Sequence, residues 1–376
     1  TTTFVVVGAS QERESGLGES FMWQSFGRQQ VHFGVVDLGA AVDDAVKEAG
    51  ISRLLRINGI GDPSADSLVD ALAKDFVVAH IDEVRQHVPL ALAEQAVELA
   101  SRSQVDGVLA VGGGSTIGLA KIVALETGIP IVAVPTTYAG SEATPVWGRT
   151  EGGVKTTGVA SQVLPQVVLY APALTSTLPP SLTIASAGNS LAHCVEALWA
   201  PGANPITTVI ALEGVGVLSL GLDGFMSVPD ALQGRALLQR GAYLGGSAFA
   251  VAGSGLHHKL CHVLGGRFDL PHAETHTILL PYVLAFNLGA DLDVYARLSS
   301  AFGADDPLEG LMSLYGRVGM PSRLSDIGLR EEDLAVAVDA ASARLPIGNP
   351  VPVDIVALTR ILRAAIHGDD PRELRG

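Results

Sequence analysis

The sequence is poor in cysteine and in basic residues. It holds two cysteines, Cys194 and Cys261, and 24 lysines and arginines against 39 aspartates and glutamates, which gives a net charge of −15. Two cysteines cannot build a disulfide framework in a chain of 376 residues, so a disulfide-stapled secreted protein is excluded and a reducing cytoplasm is expected. An acidic chain without a basic run lacks the phosphate-binding surface that nucleic-acid-binding proteins need.

Targeting and membrane-spanning patterns are also missing. No basic region precedes an apolar stretch near the first residue, so no signal peptide is expected. The apolar, charge-free stretch 275–290 is too short to cross a bilayer, and it contains Pro281. Apolar residues nevertheless make up 48% of the chain, enough for the cores of two domains. This composition is typical of a cytoplasmic metabolic enzyme, often an oligomer.

The two halves of the chain carry different patterns. Up to about residue 165, short apolar runs alternate with helical segments, which predicts βαβ units and a parallel sheet. The segments beyond are long and helical, and Pro179-Pro180 marks the start of the first. We therefore predict an α/β domain over 1–165 and an all-helical domain over 166–376. The predicted strands are 4–7, 53–57, 76–81, 107–111 and 129–134, and the predicted long helices are 181–199, 205–220 and 229–264.

A glycine-rich turn follows one of the buried strands. Its residues are Gly112, Gly113, Gly114 and Ser115, and a helix comes directly after them. Glycines let the backbone approach a phosphate, and a helix N-terminus offers free N–H groups and a positive dipole end. We expect Ser115 to cap this helix and to donate to a phosphate oxygen. The alternative is a tight turn that binds no ligand.

A hydroxyl-rich loop follows the next strand. Thr136, Thr137 and Ser141 lie in it, and their hydroxyls suit phosphate or ribose oxygens. Ligands of open α/β sheets bind beyond the carboxyl ends of the strands, where both loops would open. An ordinary polar loop is the alternative, but two such loops on neighbouring strands favour dinucleotide binding.

Histidines cluster in the helical half. Five of the ten lie between 257 and 276, namely His257, His258, His262, His272 and His276. Asn189 and His193 stand four apart and share one helix face, as do His258 and His262. Such spacing suits a metal site, although the amide of Asn189 is a poor ligand for a divalent cation. The same imidazoles could instead donate hydrogen bonds or protons to substrate oxygens.

Four long segments together resemble the maleylacetate reductase family, the metal-independent branch of the iron-containing alcohol dehydrogenase superfamily. They are GGGSTIGLAK (112–121), PTTYAGSEATPVWG (135–148), GNSLAHCVEALWAPGANPIT (188–207) and GLHHKLCHVLGGRFDLPHAETH (255–276). The resemblance implies an N-terminal α/β nucleotide-binding domain, a C-terminal helical domain and an active site in the cleft between them. This is the architecture shared by dehydroquinate synthase and the iron-type alcohol dehydrogenases.

The resemblance also implies roles for particular residues. Metal-dependent relatives bind their ion through one Asp and three His, and the matching positions here are Asn189, His193, His258 and His272. Because Asn189 replaces the carboxylate, we expect no metal. Gly118, which stands where the superfamily's nucleotide loop has an Asp, is likewise typical of this branch. The same likeness assigns the pyrophosphate to Gly112, Gly113, Gly114 and Ser115, supported by Thr136, Thr137 and Ser141. It places Lys155 near the nicotinamide ribose and His262 beside the nicotinamide.

The implied reaction reduces the conjugated double bond of maleylacetate to 3-oxoadipate with NADH or NADPH, a step in aromatic-compound catabolism. The catalytic candidates are Asn189, His193, His258, His262 and His272. A homodimer and a small-molecule substrate are expected, with neither nucleic acid nor membrane as a partner.

Three positions depart from the family pattern. Val351 stands where an arginine would pair with a carboxylate, Ile347 removes a tyrosine hydroxyl, and Tyr282 replaces a histidine. They favour, as the alternative, an enzyme of the same fold acting on a less charged substrate in specialised metabolism. That enzyme would be an NAD(P)-dependent reductase or dehydrogenase, or a non-redox lyase or cyclase using the histidine cleft.

Overall fold

A parallel sheet of six strands forms the N-terminal half of the molecule, in the order β1-β8-β5-β4-β2-β3. The computed structural model describes residues 27–61, 63–86, 88–151 and 154–375, so the strand predicted at 4–7 lies outside it. The strands are β1 (Gln30–Phe33), β2 (Leu54–Asn58), β3 (Val77–Ile81), β4 (Gly107–Gly112), β5 (Ile131–Pro135) and β8 (Val167–Tyr170).

Helices cover both faces of this sheet. They are α1 (Leu38–Glu48), α2 (Pro63–Ala71), α3 (Leu90–Arg102) and α4 (Gly114–Thr127). Alternate residues of a strand serve opposite faces: Val108 and Ala110 pack in one apolar cluster with α3 and α4, whereas Leu109 and Val111 pack in the other with α1 and α2. Burial on both faces explains why β4 and β5 are continuous apolar runs. The predicted α/β class with a parallel sheet is confirmed.

Four strands were not predicted, and the first of them is β1. β6 (Val146–Glu151) and β7 (Val154–Val159) form an antiparallel hairpin whose mixed polar sequence lacks the apolar run of a core strand. β8 has four residues and follows residue 165, yet it pairs with both β1 and β5 inside the sheet. The expectation that strands end near residue 165 was therefore wrong by one strand, while the division into domains there stays a prediction.

The C-terminal half is helical, as predicted. Its helices are α5 (Pro180–Ala197), α6 (Pro205–Ser227), α7 (Leu232–Ala252), α8 (Leu256–Phe268), α9 (His272–Asn287), α10 (Leu292–Phe302), α11 (Pro307–Val318), α12 (Leu334–Ser342) and α13 (Ile355–His367). The single helix predicted over 229–264 is two, because the chain breaks at Gly253, where φ is 79°. α6 is long and apolar enough to cross a membrane by length and composition alone, yet it packs against α5 and α7 as a core helix does.

The sheet and the helical half meet closely at the loop after β5. Gly140 of this loop has a φ of 72°, and it faces Gly246 in the middle of α7. A Cβ atom on Gly246 would lie 2.3 Å from the carbonyl oxygen of Gly140. The approach of helix to loop therefore depends on glycine at both positions.

Candidate active site

The glycine-rich turn opens the N-terminus of α4. β4 ends at Gly112, α4 begins at Gly114, and among the described residues no side chain caps the helix at its N-cap, Gly113. The expectation that Ser115 caps this helix was wrong, because Ser115 is the second residue of the helix itself. The first backbone N–H groups of α4 are thus left for an anion, which a helix N-terminus binds well.

The hydroxyl-rich loop lies directly beside this turn. β4 and β5 are neighbours in register, with Gly112 opposite Pro135, and the backbone N–H of Thr136 donates to the Gly112 carbonyl at 3.0 Å. A Cβ atom on Gly113 would lie 2.8 Å from Cγ2 of Thr137. The structure therefore brings together the two loops that the sequence singled out, at the carboxyl edge of the sheet.

A buried lysine holds the far end of that loop. Lys121 of α4 donates from Nζ to the carbonyl oxygens of Ser141 (2.7 Å), Thr144 (2.8 Å) and Val146 (2.8 Å). Burial lowers the pKa of Lys121 to about 7. Ser141, predicted as a cofactor contact, is thereby fixed through its backbone.

The same loop is anchored to the helix that carries Asn189 and His193. Ser190 of α5 donates from its hydroxyl to the carbonyl of Tyr138. The Tyr138 hydroxyl in turn bonds to Oγ1 of Thr175 at 2.9 Å, and Tyr138 is fully buried. The hydroxyl-rich loop and the histidine-bearing helix therefore form one connected frame.

The histidines of α5, α8 and α9 converge, with His258 in the middle. Its ring lies 5.0 Å from that of His193, with the two stacked, 4.6 Å from His276 and 6.2 Å from His262. Phe249 of α7 lies 4.2 Å from His258 and closes one side of the group. His272 joins it through His276, at 4.4 Å.

Four buried ring nitrogens and one amide oxygen in this cluster have no hydrogen-bond partner among the described residues. They are Nδ1 of His193, Nδ1 of His257, Nε2 of His258, Nε2 of His276 and Oδ1 of Asn189. Buried polar atoms are rarely left unpaired in proteins. The arrangement is therefore that of a site whose polar partner arrives with a ligand.

Burial keeps these imidazoles neutral. It lowers the pKa of His193 to about 4 and that of His257 to about 3. The pKa values of His258 and His276 fall well below the ordinary range, because burial and then the neighbouring imidazoles oppose a positive charge. At neutral pH the cluster can hydrogen-bond to a substrate oxygen without carrying charge of its own.

One acidic residue missed from the sequence lies against this cluster. Glu196 of α5 is fully buried, and its Oε2 pairs with Nδ1 of His258. Burial raises the pKa of Glu196 to about 7. The backbone N–H groups of Gly255, His257 and His258 act in the opposite direction, because they stabilise the charged carboxylate. A signal existed in the sequence, since Glu196 is the single charged residue between Pro179 and Pro205.

For the remaining candidate residues the structure gives no contact with the histidine cluster among the described side chains. Lys155 lies on β7 opposite Thr150, and β7 contacts α8, but the Lys155 side chain is outside the described part. Ile347 and Val351 pack against the apolar core of the helical half. The hydroxyl of Tyr282 donates to the Ser322 carbonyl at 3.4 Å.

The donor set fits a divalent metal poorly at the positions that the resemblance suggests. Asn189 offers a neutral amide oxygen where a carboxylate would offset the charge of the ion. A different trio, His257, His258 and His276, places its ligand nitrogens within 4.8 Å of one another. Within that trio, Nε2 of His257 and Nδ1 of His276 are 3.2 Å apart and already share a hydrogen bond.

The sequence matches two protein-family descriptions that together span most of the chain. Residues 29–172 match "Iron-containing alcohol dehydrogenase", and residues 183–366 match "Fe-containing alcohol dehydrogenase family, C-terminal". Among curated proteins, the maleylacetate reductase of Pseudomonas knackmussii is 48% identical over 296 residues, 78% of this chain and 84% of the relative. That of Pseudomonas sp. strain P51 is 41% identical over 333 residues, 88% and 94% of the two chains.

Solved structures agree. An iron-containing alcohol dehydrogenase from Corynebacterium glutamicum has a TM-score of 0.90 and 46% identity, covering 95% of this chain and 99% of the other. Maleylacetate reductase from Rhizobium sp. strain MTP-10005 has a TM-score of 0.85 and 37% identity, covering 93% and 99%. The likeness extends through both halves of the fold.

Proposed function

The chain belongs to the iron-containing alcohol dehydrogenase family, and we propose that it reduces the conjugated carbon–carbon double bond of maleylacetate to give 3-oxoadipate. Its relatives of 41–48% identity are maleylacetate reductases, and they are matched over more than four-fifths of their length. The observation that carries the proposal is the neutral histidine cluster, which is tied through Ser190 and Tyr138 to the loop beside the open N-terminus of α4.

The cofactor in this proposal is NADH or NADPH. The uncapped N-terminus of α4 fits a pyrophosphate, and Gly112, Gly113, Gly114 and Ser115 would hold it. Thr136, Thr137 and Ser141 would bind from the adjoining loop, and Lys155 on β7 would lie toward the ribose. When bound, the reduced nicotinamide supplies the hydride.

The histidines act on the substrate side. Hydride addition to one carbon of the double bond leaves an enolate, and a proton then adds to the neighbouring carbon. In this proposal the ring nitrogens of His193, His258 and His276 that lack a partner among the described residues donate, where they carry the proton, to the keto oxygen or a carboxylate. Fixed dipoles inside a dry site stabilise developing negative charge at little reorganisation cost. His262 and His272 border this group.

The reaction we propose needs no metal. The support is chemical: Asn189 brings no charge, and burial keeps the imidazoles of His193 and His258 neutral. Ile347 and Val351, which depart from the family pattern, fill apolar space against the helical core. The substrate carboxylates would then be recognised by the histidines.

We further propose a cytoplasmic homodimer. Among the described residues β1 is an edge strand of the sheet, so within them one row of its backbone groups is free to pair. Phe33 at its end is 48% exposed in the described part of the chain, so its ring offers apolar surface for a subunit contact. Light scattering on the purified protein tests this state.

NADH oxidation, followed by its near-ultraviolet absorbance with maleylacetate present, tests the function. The expected result is turnover that survives a strong chelator, in protein whose metal content is far below one ion per chain. Loss of turnover with the chelator, restored by one added metal, would refute the metal-free mechanism. NADH binding without any turnover of maleylacetate would refute the substrate.

A further inference from the structure

A buried carboxylate beside the histidine cluster has no assigned role. Glu196 is fully buried, and burying a charge is costly unless it is paired and hydrogen-bonded. Its contacts are therefore the place to look for what it does.

One oxygen of Glu196 accepts hydrogen bonds from the N-terminus of α8. The backbone N–H of His257 donates to Oε1 at 2.6 Å, and that of His258 lies 3.4 Å from both oxygens. A helix N-terminus presents free N–H groups and favours negative charge there. Gly255 just before α8 allows the approach, since a Cβ on it would lie 3.1 Å from Oε1 of Glu196. This half of the contact fixes the carboxylate itself.

The other oxygen faces the His258 ring. Oε2 pairs with Nδ1 of His258, which leaves Nε2 as the ring nitrogen without a partner among the described residues. Rotating the ring by half a turn would break this contact and exchange the position of Nε2. Because the backbone N–H groups of His257 and His258 hold the carboxylate in place, the carboxylate can in turn fix the orientation of the His258 ring.

We propose that Glu196 is the positioning residue of His258, holding Nδ1 so that Nε2 is the atom offered to the substrate. The inference rests on the proposed function, since it deepens the description of the same site. Partners of this kind, one shell outside a reacting histidine, change activity by about 10- to 100-fold when they are removed.

Two substitutions separate position from charge. Glu196→Gln keeps the length of the side chain and loses the charge: its amide oxygen can still accept from α8, and its NH₂ group can donate to Nδ1, which leaves the ring proton on Nε2, the state in which Nε2 donates to a substrate oxygen. Glu196→Asp keeps the charge and is one methylene shorter, so it cannot reach both the first backbone N–H groups of α8 and the ring of His258. Glu213→Asp on the exposed face of α6, where Glu213 pairs with Arg240, is the matched control.

The expected result is a kcat for Glu196→Asp about 10- to 100-fold below wild type, with KM for NADH unchanged. Glu196→Gln should recover most of that loss, and Glu213→Asp should match wild type. If Glu196→Gln is as impaired as Glu196→Asp, or more so, the site requires an ionised carboxylate that accepts from Nδ1–H, holding the ring in place is not sufficient, and the positioning role is overturned. If both change thermal stability but leave kcat unchanged, Glu196 only caps α8, and the proposal also fails.

A substrate-free measurement keeps this test distinct from the proposed function. In protein with ¹⁵N-labelled histidine, the ring-nitrogen shifts of His258 should show one fixed ring state in wild type and an averaged one in Glu196→Asp. Identical shifts in the two proteins would overturn the proposal. If wild type fails to reduce maleylacetate, the proposed function falls, and this comparison alone decides the role of Glu196.

Discussion

Replacing Gly246 by alanine should loosen both halves of the active site at once. The new Cβ would lie 2.3 Å from the Gly140 oxygen and 2.9 Å from the Cβ of Ala143. Neither α7 nor the loop can move away easily. Gly246 lies inside α7, and Gly140, at φ 72°, packs so closely on that helix that a Cβ on it would lie 2.7 Å from the Ala242 oxygen. Ordinary contact requires α7 and the loop to separate by about 1 Å, and such overpacking costs about 1–3 kcal/mol.

Part of that cost is offset, because alanine favours a helix interior over glycine by about 1 kcal/mol. We expect a net loss near 1 kcal/mol, which lowers Tm by about 2 °C in a chain of this size. KM for NADH should rise because the loop moves, and kcat should fall because α7 also carries Phe249, 4.8 Å from His193. Gly316→Ala on α11, where nothing lies within 4 Å of the new Cβ, is the control and should raise Tm slightly. A Gly246→Ala protein as stable as Gly316→Ala would refute the reasoning.

Three further perturbations follow from the site. Asn189→Asp restores a carboxylate beside His193 and His258, so the purified variant should retain a divalent metal in elemental analysis where wild type does not; equal metal contents would contradict this. Gly113→Ala places a methyl group 2.8 Å from Thr137 at the mouth of α4, and should weaken NADH binding about tenfold in a fluorescence titration, with kcat at saturating NADH unchanged. The pKa of His193 is about 4 when folded against 6.5 ordinarily, so the unfolded chain binds the extra proton and stability falls as pH drops from about 6.5 toward 4. His193→Asn should reduce this pH-dependent loss of unfolding free energy by an amount on the order of 3 kcal/mol. Urea unfolding midpoints measured across that pH range give the loss for each protein, and parallel plots of stability against pH for the two would count against the prediction.

The local features of the site were predictable from the sequence. The glycine turn between 111 and 115 could be placed because the chain changes there from an apolar run to a helical segment, and because parallel strands put their carboxyl ends at one edge. The histidines of α8 and α9 drew attention by their density alone. The long resemblance then identified the family, which the comparisons confirm.

The features that failed depend on contacts distant in sequence or on weak local signals. β8 has four residues, and its place in the sheet is decided by β1 and β5, not by its own pattern. The break after α7 rests on the left-handed backbone of Gly253, which a helical pattern with frequent glycines conceals. The contact of Glu196 with His258 joins residues 62 positions apart, and no spacing rule links them.

The burial of Lys121 has a consequence for chemical reactivity. A lysine amine that is open to solvent is readily acylated. Yet Lys121 has no exposed surface, and its nitrogen is enclosed by the carbonyls of the loop that bears Ser141. An acylating reagent reaches it only in molecules whose loop has opened, so its labelling rate counts those openings, as hydrogen exchange does for an amide. A bound cofactor that closes the loop would slow this labelling, which makes Lys121 a built-in reporter of cofactor occupancy.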